Sequence, residues 1–352
     1  MEESITANIE EKKEELAVKI MERQFSKNPR LRKKYRGHKL EKCLEDISYN
    51  LAYLCQALKN NNQELFTKYM QWVNETLNPL GISNQELIEN INSMGEVLAE
   101  ELPRAEDKII ELTRAAISAI KEDKRTPSHL KENNPQLKLA EEYLDYLLKA
   151  DRNQASKIII EACQQGVEIR DIYLNVFQPV MREVGRLWQL NKVSIAQEHF
   201  ASATTQLTIS QFYPQILNSK PGGYSCLTAC VGEELHEMGV RMMADLLELE
   251  GWQTLHLGAN TPVEEILTLA RKKEMDVIAI SVTMAYHLPQ LERLTELLAE
   301  ERDYSPALMV GGYPFNISPG LWKKMKADGS APNAALGVEK AKELMAEKEK
   351  RS

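Results

Sequence analysis

The chain has 352 residues, which is enough for two or three domains of ordinary size. Its 43% apolar and 27% charged residues are typical of globular proteins and exclude fibrous or wholly disordered chains. The net charge of −8, from 44 basic and 52 acidic residues, argues against a protein covered in basic charge for nucleic acid. Five cysteines without a Cys-x-x-Cys pair indicate free thiols in a reducing compartment. Because the N-terminus has no signal-peptide core and no apolar run reaches about 18 residues, we expect a soluble cytoplasmic protein without membrane helices.

The first 120 residues have the apolar periodicity of helices. Apolar residues recur at steps of three and four between Leu40 and Leu58. The same spacing returns in three later segments, 66–77, 87–102 and 109–120. It predicts an up-and-down helical bundle over residues 1–125, with a polar, proline-containing linker at 121–136.

The second half of the chain changes from helices to alternating strands and helices. Residues 137–218 form a second helical block, and a turn-rich segment follows at 219–223. Short apolar runs then alternate with helical segments; the runs are 226–231, 254–257, 277–281 and 307–310, with a weak last strand near 329–331. This alternation predicts βαβ units and a buried, doubly wound parallel sheet of the Rossmann-like type over 224–350. The predicted fold class is therefore α plus α/β, with two helical domains before the sheet domain.

Polar residues and glycines follow three of the predicted strands. Ligands bind beyond the carboxyl ends of strands in open parallel sheets, so these loops are candidate sites. The first loop offers Glu234, His236 and Gly239; the third begins at Ser281 and the fourth at Gly311. An imidazole with a carboxylate neighbour is a good metal ligand, but a zinc site would need three or four ligands. A single histidine beside glycines therefore suits a metal that a macrocycle already holds.

Taken singly, each of these features is more often structural than functional. A lone loop histidine, a Gly-Gly after a strand and a Glu-x-His-x-x-Gly run all occur often by chance. Only their combination, each at a strand end and in this order, favours a functional site.

In combination, these residues resemble the cobalamin-binding domain of methionine synthase, corrinoid methyl carriers and light-sensing repressors of the MerR type. The resemblance implies that His236 is the lower axial ligand of cobalt, displacing the cofactor's own benzimidazole, and that Glu234 is its hydrogen-bond partner. It implies that the nucleotide tail passes into the sheet domain beside Gly239. The other residues expected to contact the cofactor are Leu235, Glu237, Met238, Ser281, Val282, Thr283, Gly311 and Gly312.

The helical block at 137–218 resembles the cap that covers the upper face of the corrin in the same family. In the light-sensing repressors, a tryptophan followed ten and eleven residues later by Glu and His lies over an adenosyl group. Trp188, Glu198 and His199 have this spacing here, with Ile195 between them. The resemblance therefore favours adenosylcobalamin over methylcobalamin. Read without it, Trp188 is a core residue and Glu198–His199 is plain surface.

Two departures from the repressors limit the resemblance. Their tryptophan can be followed by a histidine that ligates cobalt after light expels the adenosyl group, and Gln189 stands at that position here. They also begin with a winged-helix DNA-binding domain, whereas residues 1–120 show no helix-turn-helix signature. A bis-histidine photoproduct and direct DNA binding are therefore not expected.

The N-terminal bundle contains one strongly basic segment. Residues 27–39 carry seven Lys or Arg and no acid, which suits phosphates, an acidic partner or a solvated connector. The first 130 residues as a whole hold 20 basic and 22 acidic residues, so DNA binding is poorly supported. We expect this bundle to contact protein partners, and a homo-oligomer stays open.

Three functions remain open from the sequence. The first is a cobalamin sensor, responsive to light if the upper ligand is adenosyl; the second is a corrinoid methyl carrier that serves partner methyltransferases. The third is an ordinary α/β ligand-binding module with chance motifs. No nucleophile–base pair or phosphate-binding loop gives the chain its own catalysis, and there is no room for the substrate barrel of a mutase.

Overall fold

The computed structural model describes residues 2–122, 126–216 and 223–351. It divides the chain into two compact units, Met1–Arg125 and Thr126–Ser352. Most of the turn-rich segment expected at 219–223 lies outside the described residues.

The described part of the first unit is helical, as its apolar periodicity predicts. Its helices are α1 (Glu2–Glu11), α2 (Lys13–Lys27), α3 (Pro29–Lys34), α4 (His38–Lys59), α5 (Gln63–Leu77), α6 (Asn84–Glu101) and α7 (Glu106–Lys121). Helix α6 begins with a capping box, in which Ser83 and Glu86 satisfy each other's backbone N–H groups. The preceding chain turns at Gly81, whose φ of +84° favours glycine.

The helices of the first unit do not pack in a simple up-and-down order. Helix α2 packs against both α4 and α6, and α7 packs against both α5 and α6. Leu16, Ile20 and Phe25 of α2 are buried, so this helix supplies part of the core. The up-and-down expectation rests on the helices from Leu40 onward and does not account for α2, which packs on two of these helices.

Part of the basic segment 27–39 is used inside the first unit. Lys27 contacts Glu96, and Lys34 donates to Glu86 at 2.7 Å, so both side chains join this segment to α6. The other basic side chains of the segment are exposed; they are Arg30, Arg32, Lys33, Arg36 and Lys39. Lys27 and Lys34 therefore attach the segment to α6, while its other basic side chains are exposed to solvent.

The second unit begins with a connector, residues 126–136, followed by a helical cap. The cap helices are α8 (Leu137–Leu148), α9 (Arg152–Gln164), α10 (Ile169–Asp171), α11 (Gln178–Gln189), α12 (Ile195–Ser210) and α13 (Tyr213–Ile216). A π-helix, Ile172–Phe177, joins α10 to α11, so one continuous helical run covers 169–189. Asp151 and Ser194 cap α9 and α12 by accepting backbone N–H groups.

The rest of the second unit is a five-stranded parallel sheet in the order β2-β1-β3-β4-β5. The strands are β1 (Ser225–Val231), β2 (Gln253–Thr261), β3 (Val277–Ser281), β4 (Ala307–Gly311) and β5 (Gly329–Ala331). The helices are α14 (Met238–Leu249), α15 (Val263–Lys272), α16 (Leu288–Glu300), α17 (Tyr313–Ile317), α18 (Leu321–Lys324) and α19 (Ala334–Arg351). The predicted fold class is confirmed. Strand β2 is longer than predicted because its pairing with β1 continues across two irregularities in register.

The cap and the sheet share one hydrophobic core. Tyr173 and Phe177 of the π-helix belong to the same buried cluster as Met242 and Leu247 of α14. The hydroxyl of Tyr173 also donates to Oδ2 of Asp245 at 2.7 Å, and both side chains are buried. These contacts fix the cap on the face of the sheet that α14 covers. None of the helices in the described parts of the chain is long and apolar enough to span a bilayer.

Candidate functional site

Strands β1 and β3 are neighbours at the centre of the sheet, and the chain leaves them toward opposite faces. Helix α14, which follows β1, packs with α19, whereas α16, which follows β3, packs with α15. This is the topological switch point of the sheet, where diverging loops open a crevice for ligands. The predicted site loops after β1, β3 and β4 all lie at this edge.

Glu234 joins the loop after β1 to the loop after β3. Its buried Oε2 accepts the backbone N–H groups of Thr283 at 2.7 Å and Met284 at 2.9 Å. Its Oε1 accepts the backbone N–H of His236 at 3.1 Å and lies 2.5 Å from the ring Nδ1. Four contacts thus stabilise a carboxylate that would otherwise be costly to bury.

The electrostatics of this pair orient the histidine. Although burial raises the pKa of Glu234, hydrogen bonds from His236 and from the Met284 N–H lower it to about 2. The hydrogen bond to Glu234 in turn raises the pKa of His236. Because an ionised carboxylate only accepts hydrogen bonds, Nδ1 carries a proton, and in the neutral ring Nε2 keeps its lone pair. The His236 side chain is 60% exposed, so the geometry is that of a metal-ligating histidine oriented by a carboxylate.

The loops after β3 and β4 approach each other most closely at Gly312. Its φ is +109°, and a Cβ there would lie 1.9 Å from the carbonyl oxygen of Val282, so only glycine fits. A Cβ at Gly311 would make only an ordinary contact, 3.5 Å from the carbonyl oxygen of Ala331. Ser281 pairs with Gly311 in the β3–β4 register. Both glycines are predicted neighbours of a cofactor. At Gly312 the backbone conformation and the close approach of Val282 already require glycine.

The remaining predicted residues of the first loop surround His236. Leu235 is 71% exposed, which is unusual for a leucine beside a buried glutamate. Gly239, in the first turn of α14, has open space where a Cβ would stand. Oε1 of Glu237 accepts from the side-chain amide of Gln206 at 2.8 Å, and Met238 begins α14 partly buried against the core.

The predicted cap residues lie on two adjacent helices. Trp188 is partly buried near the end of α11, and Ile195, 59% exposed, begins α12. The ring Nδ1 of His199 lies 2.6 Å from Oε2 of Glu198. After the larger effects of Glu234 and of burial, the charge of Glu198 also contributes to the raised pKa of His236. The fold therefore brings Glu198 of the cap near the sheet-domain histidine, while the roles of these side chains toward a cofactor stay predictions.

The sequence did not predict the contacts that hold α12 against the first loop. Gln206 bonds Glu237, and Ser210 accepts from the guanidinium of Arg241 at 2.8 Å. Gln206 and Ser210 lie four residues apart on α12 and thus share a helix face, which was the available signal.

The arrangement suits a metal that brings most of its own ligands. Among the described residues, no group of three or more His, Cys, Asp or Glu side chains could hold a bare ion. One oriented imidazole, open space at Gly239, and exposed apolar side chains at Leu235 and Ile195 fit a large, partly apolar macrocycle such as a corrin. His236 would hold the cobalt, with Glu234 orienting its ring.

Comparison with known families assigns most of the second unit. Residues 224–339 and residues 139–212 match two separate B12 binding domain families, one for the sheet domain and one for the cap. Residues 4–150 match the phycobilisome protein family, a similarity that the sequence analysis did not anticipate.

Characterised relatives of two kinds are similar to this chain. Dimethylamine corrinoid protein 1 of Methanosarcina acetivorans is 29% identical over 174 residues, 47% of this chain and 78% of that protein. Dimethylamine corrinoid protein 3 of Methanosarcina mazei is 33% identical over 116 residues, 32% of this chain and 67% of that protein. The HTH-type transcriptional repressor CarA of Myxococcus xanthus is 28% identical over 127 residues, 36% of this chain and 42% of the repressor.

A solved structure shares the fold of the cap and sheet. The monomethylamine corrinoid protein of Methanosarcina barkeri superposes with a TM-score of 0.52 at 21% identity, covering 59% of this chain and 99% of that one. The cap and the sheet thus agree with the two family matches and with this fold. The chain belongs to the cobalamin (B12)-binding family.

Proposed function

We propose that this protein is a cobalamin-dependent sensor that holds adenosylcobalamin with His236 as the lower ligand and signals through protein partners. The observation that carries the proposal is the carboxylate–histidine pair Glu234–His236, together with a second such pair, Glu198–His199, on the cap helix α12. When bound, adenosylcobalamin supplies a cobalt–carbon bond that light breaks.

Each residue of the site has a defined task in this proposal. Glu234 fixes the ring of His236 and is itself fixed by the loop after β3, so the ligand is pre-oriented. In this proposal Glu198, His199 and Trp188 of the cap provide polar groups and an aromatic surface for the upper ligand. Polar and aromatic groups together can contact an upper ligand of nucleoside size. A bare methyl group as the upper ligand would have no need of them.

The second candidate is a corrinoid methyl carrier. It is favoured by the relatives named dimethylamine corrinoid proteins, one of which the match covers for 78% of its length. The same His236 and cap would serve a methyl group. The helices before residue 122 count against it, because a carrier needs little beyond cap and sheet.

Illumination of the loaded full-length chain tests the sensor. Protein loaded with adenosylcobalamin in the dark should change both its absorbance spectrum and its oligomeric state after green light. His236→Ala should alter the dark spectrum of the bound cofactor, whereas His38→Ala, which changes an exposed histidine of the first unit, should not. Unchanged absorbance and assembly on illumination would exclude light sensing, and an unchanged His236→Ala spectrum would exclude this ligand.

Methyl transfer tests the alternative. Protein loaded with methylcobalamin would be mixed with candidate methyltransferases and a thiol acceptor, and the methylated thiol would be measured. Turnover that depends on His236 would favour the carrier over the sensor.

A further inference from the structure

The connector, residues 126–136, is fixed to the cap at two points. The backbone N–H of His129 donates to Oε2 of Glu183 on α11 at 2.9 Å. The side-chain amide of Asn134 donates to the carbonyl oxygen of Asn175 in the π-helix at 2.7 Å. Leu130, between these points, packs against the shared core. Although much of the connector is exposed to solvent, these contacts hold it against the cap.

Glu183 is held in place strongly. It is 4% exposed, and the guanidinium of Arg186 donates to it through Nε at 2.9 Å and through a terminal nitrogen at 2.5 Å. Burial raises the pKa of Glu183, but the bonds from Arg186 and His129 outweigh it and lower the pKa. A buried carboxylate with three charge-assisted bonds is stable only while all its donors stay in place.

The helical run 169–189 joins the attachment points of the connector to Trp188 and to the sheet domain. Trp188 lies five residues beyond Glu183 in the same helix, which is about 7.5 Å along the axis. Tyr173, in the π-helix, bonds Asp245 of the sheet domain. π-helical segments are rare and concentrate at functional positions because they interrupt the regular hydrogen-bond ladder. A displacement of the whole run at Trp188 would also move Glu183 and Asn175, and with them both attachment points of the connector.

We propose that Glu183 and Asn134 form an output joint, which passes the state of the upper ligand from Trp188 through the connector to the helices that precede it in the chain. The inference rests on the proposed function, because it takes Trp188 as the residue that senses the upper ligand. It adds a positioning role for two residues that need not touch the cofactor.

Hydrogen exchange of the full-length chain tests the joint. The chain would be loaded in the dark with adenosylcobalamin or with hydroxocobalamin, and amide exchange would be followed in 126–136 and in α4–α7. We expect the His129 amide to exchange at least tenfold faster in one form than in the other, with a smaller difference in α4–α7. Equal exchange in the two forms overturns the joint.

A matched pair of variants isolates the contact. Asn134→Asp keeps the oxygen that accepts from the Gln136 N–H at 2.8 Å but loses the donor to Asn175. Asn133→Asp makes the same chemical change at an exposed neighbour. The two loaded forms should differ at least threefold less in the amide exchange of α4–α7 when Asn134 is changed to Asp. In Asn133→Asp the difference between the two forms should persist. Equal effects of the two variants would overturn the proposal.

A third variant, Glu183→Gln, and the absorbance spectra of the bound cofactors distinguish a failure of this inference from a failure of the proposed function. Glu183→Gln should also reduce the difference in amide exchange of α4–α7 between the two loaded forms. It should not shift the dark spectrum of either bound cofactor, because Glu183 acts on the connector and not on cobalt. If neither cofactor binds, or if His236→Ala leaves both spectra unchanged, the proposed function itself fails.

Discussion

At the scale of single residues, one buried carboxylate organises the site. Glu234 accepts from two loops at once, so the position of His236 depends on the loop after β3 as well as on its own. A conservative change at Glu234 should therefore disturb both the orientation of His236 and the loops that form the crevice.

Glu234→Gln should weaken cobalamin binding by about 10- to 100-fold, because a side-chain amide presents N–H groups to backbone N–H groups and releases the ring of His236. The free energy of unfolding should fall by about 1–3 kcal/mol, the usual cost of a buried unpartnered group. Absorbance titration and urea unfolding measure the two effects. Glu233→Gln, at an exposed neighbour, is the control, and an unchanged dissociation constant for Glu234→Gln would contradict the prediction.

The two adjacent glycines at 311 and 312 should respond differently to alanine. Gly312→Ala should destabilise the protein by at least about 2 kcal/mol, because its φ is +109° and the new Cβ would clash with the carbonyl of Val282. Gly311→Ala should cost less than about 1 kcal/mol, since its Cβ meets only an ordinary contact. Thermal unfolding compares them directly, and equal losses of stability would refute the assignment.

Among the secondary-structure elements, the continuous run 169–189 is one link between cap and sheet. Its π-helical part buries Tyr173, which bonds Asp245 of α14, and its α-helical part carries Trp188. The buried Asp245 that this link contacts is titratable, so the stability of the second unit should depend on pH.

Asp245→Asn should reduce the pH dependence of stability. Burial raises the pKa of Asp245 from 3.8 to about 6, against the opposing effect of the Tyr173 hydrogen bond. Because the folded pKa lies above the unfolded one, this carboxyl contributes most favourably below pH 4, and that contribution is lost as the pH rises through about 6. The loss is about 3 kcal/mol at most, and asparagine, which keeps an oxygen for Tyr173, should remove it.

Urea unfolding at pH 4.5 and 7.5 checks this prediction. The stability difference between the two pH values should be smaller in Asp245→Asn than in the unchanged protein. Asp145→Asn, on the exposed side of α8, should leave it unaltered. An equal difference in all three proteins would show that Asp245 is ionised at little cost.

At the scale of the whole molecule, the two units carry different kinds of information. The second contains both B12 binding domain matches, and the first contains most of the phycobilisome match. The net charge of −8 is compatible with the proposed output through protein partners, although the segment 27–39 exposes basic side chains.

Cobalamin at 100 times its dissociation constant should stabilise the folded second unit by about 2.7 kcal/mol, because it binds only the folded state. Amides of β1 and β3 that exchange only by unfolding of that unit should then exchange about 100-fold more slowly. Hydrogen exchange with and without the cofactor measures this, and His236→Ala at the same concentration should show a smaller slowing. Unchanged exchange in both strands would mean that the crevice between them does not bind the cofactor.

The sequence by itself determined the fold class and the order of the site loops. Parallel strands have their carboxyl ends on one edge, so Glu234, Ser281 and Gly311 had to meet there once the runs were recognised as strands. The spacing of Glu234 and His236 likewise determined that their side chains could bond, because both lie in one short loop.

Only the tertiary structure decided which groups from distant parts of the chain meet. Residue patterns along α2 and α12 do not show that α2 packs on both α4 and α6 or that Gln206 reaches Glu237. The backbone requirement at Gly312 and the attachment of His129 to Glu183 also depend on contacts between segments far apart in sequence. Such contacts arise from packing and burial of the whole unit, for which local residue patterns carry no signal.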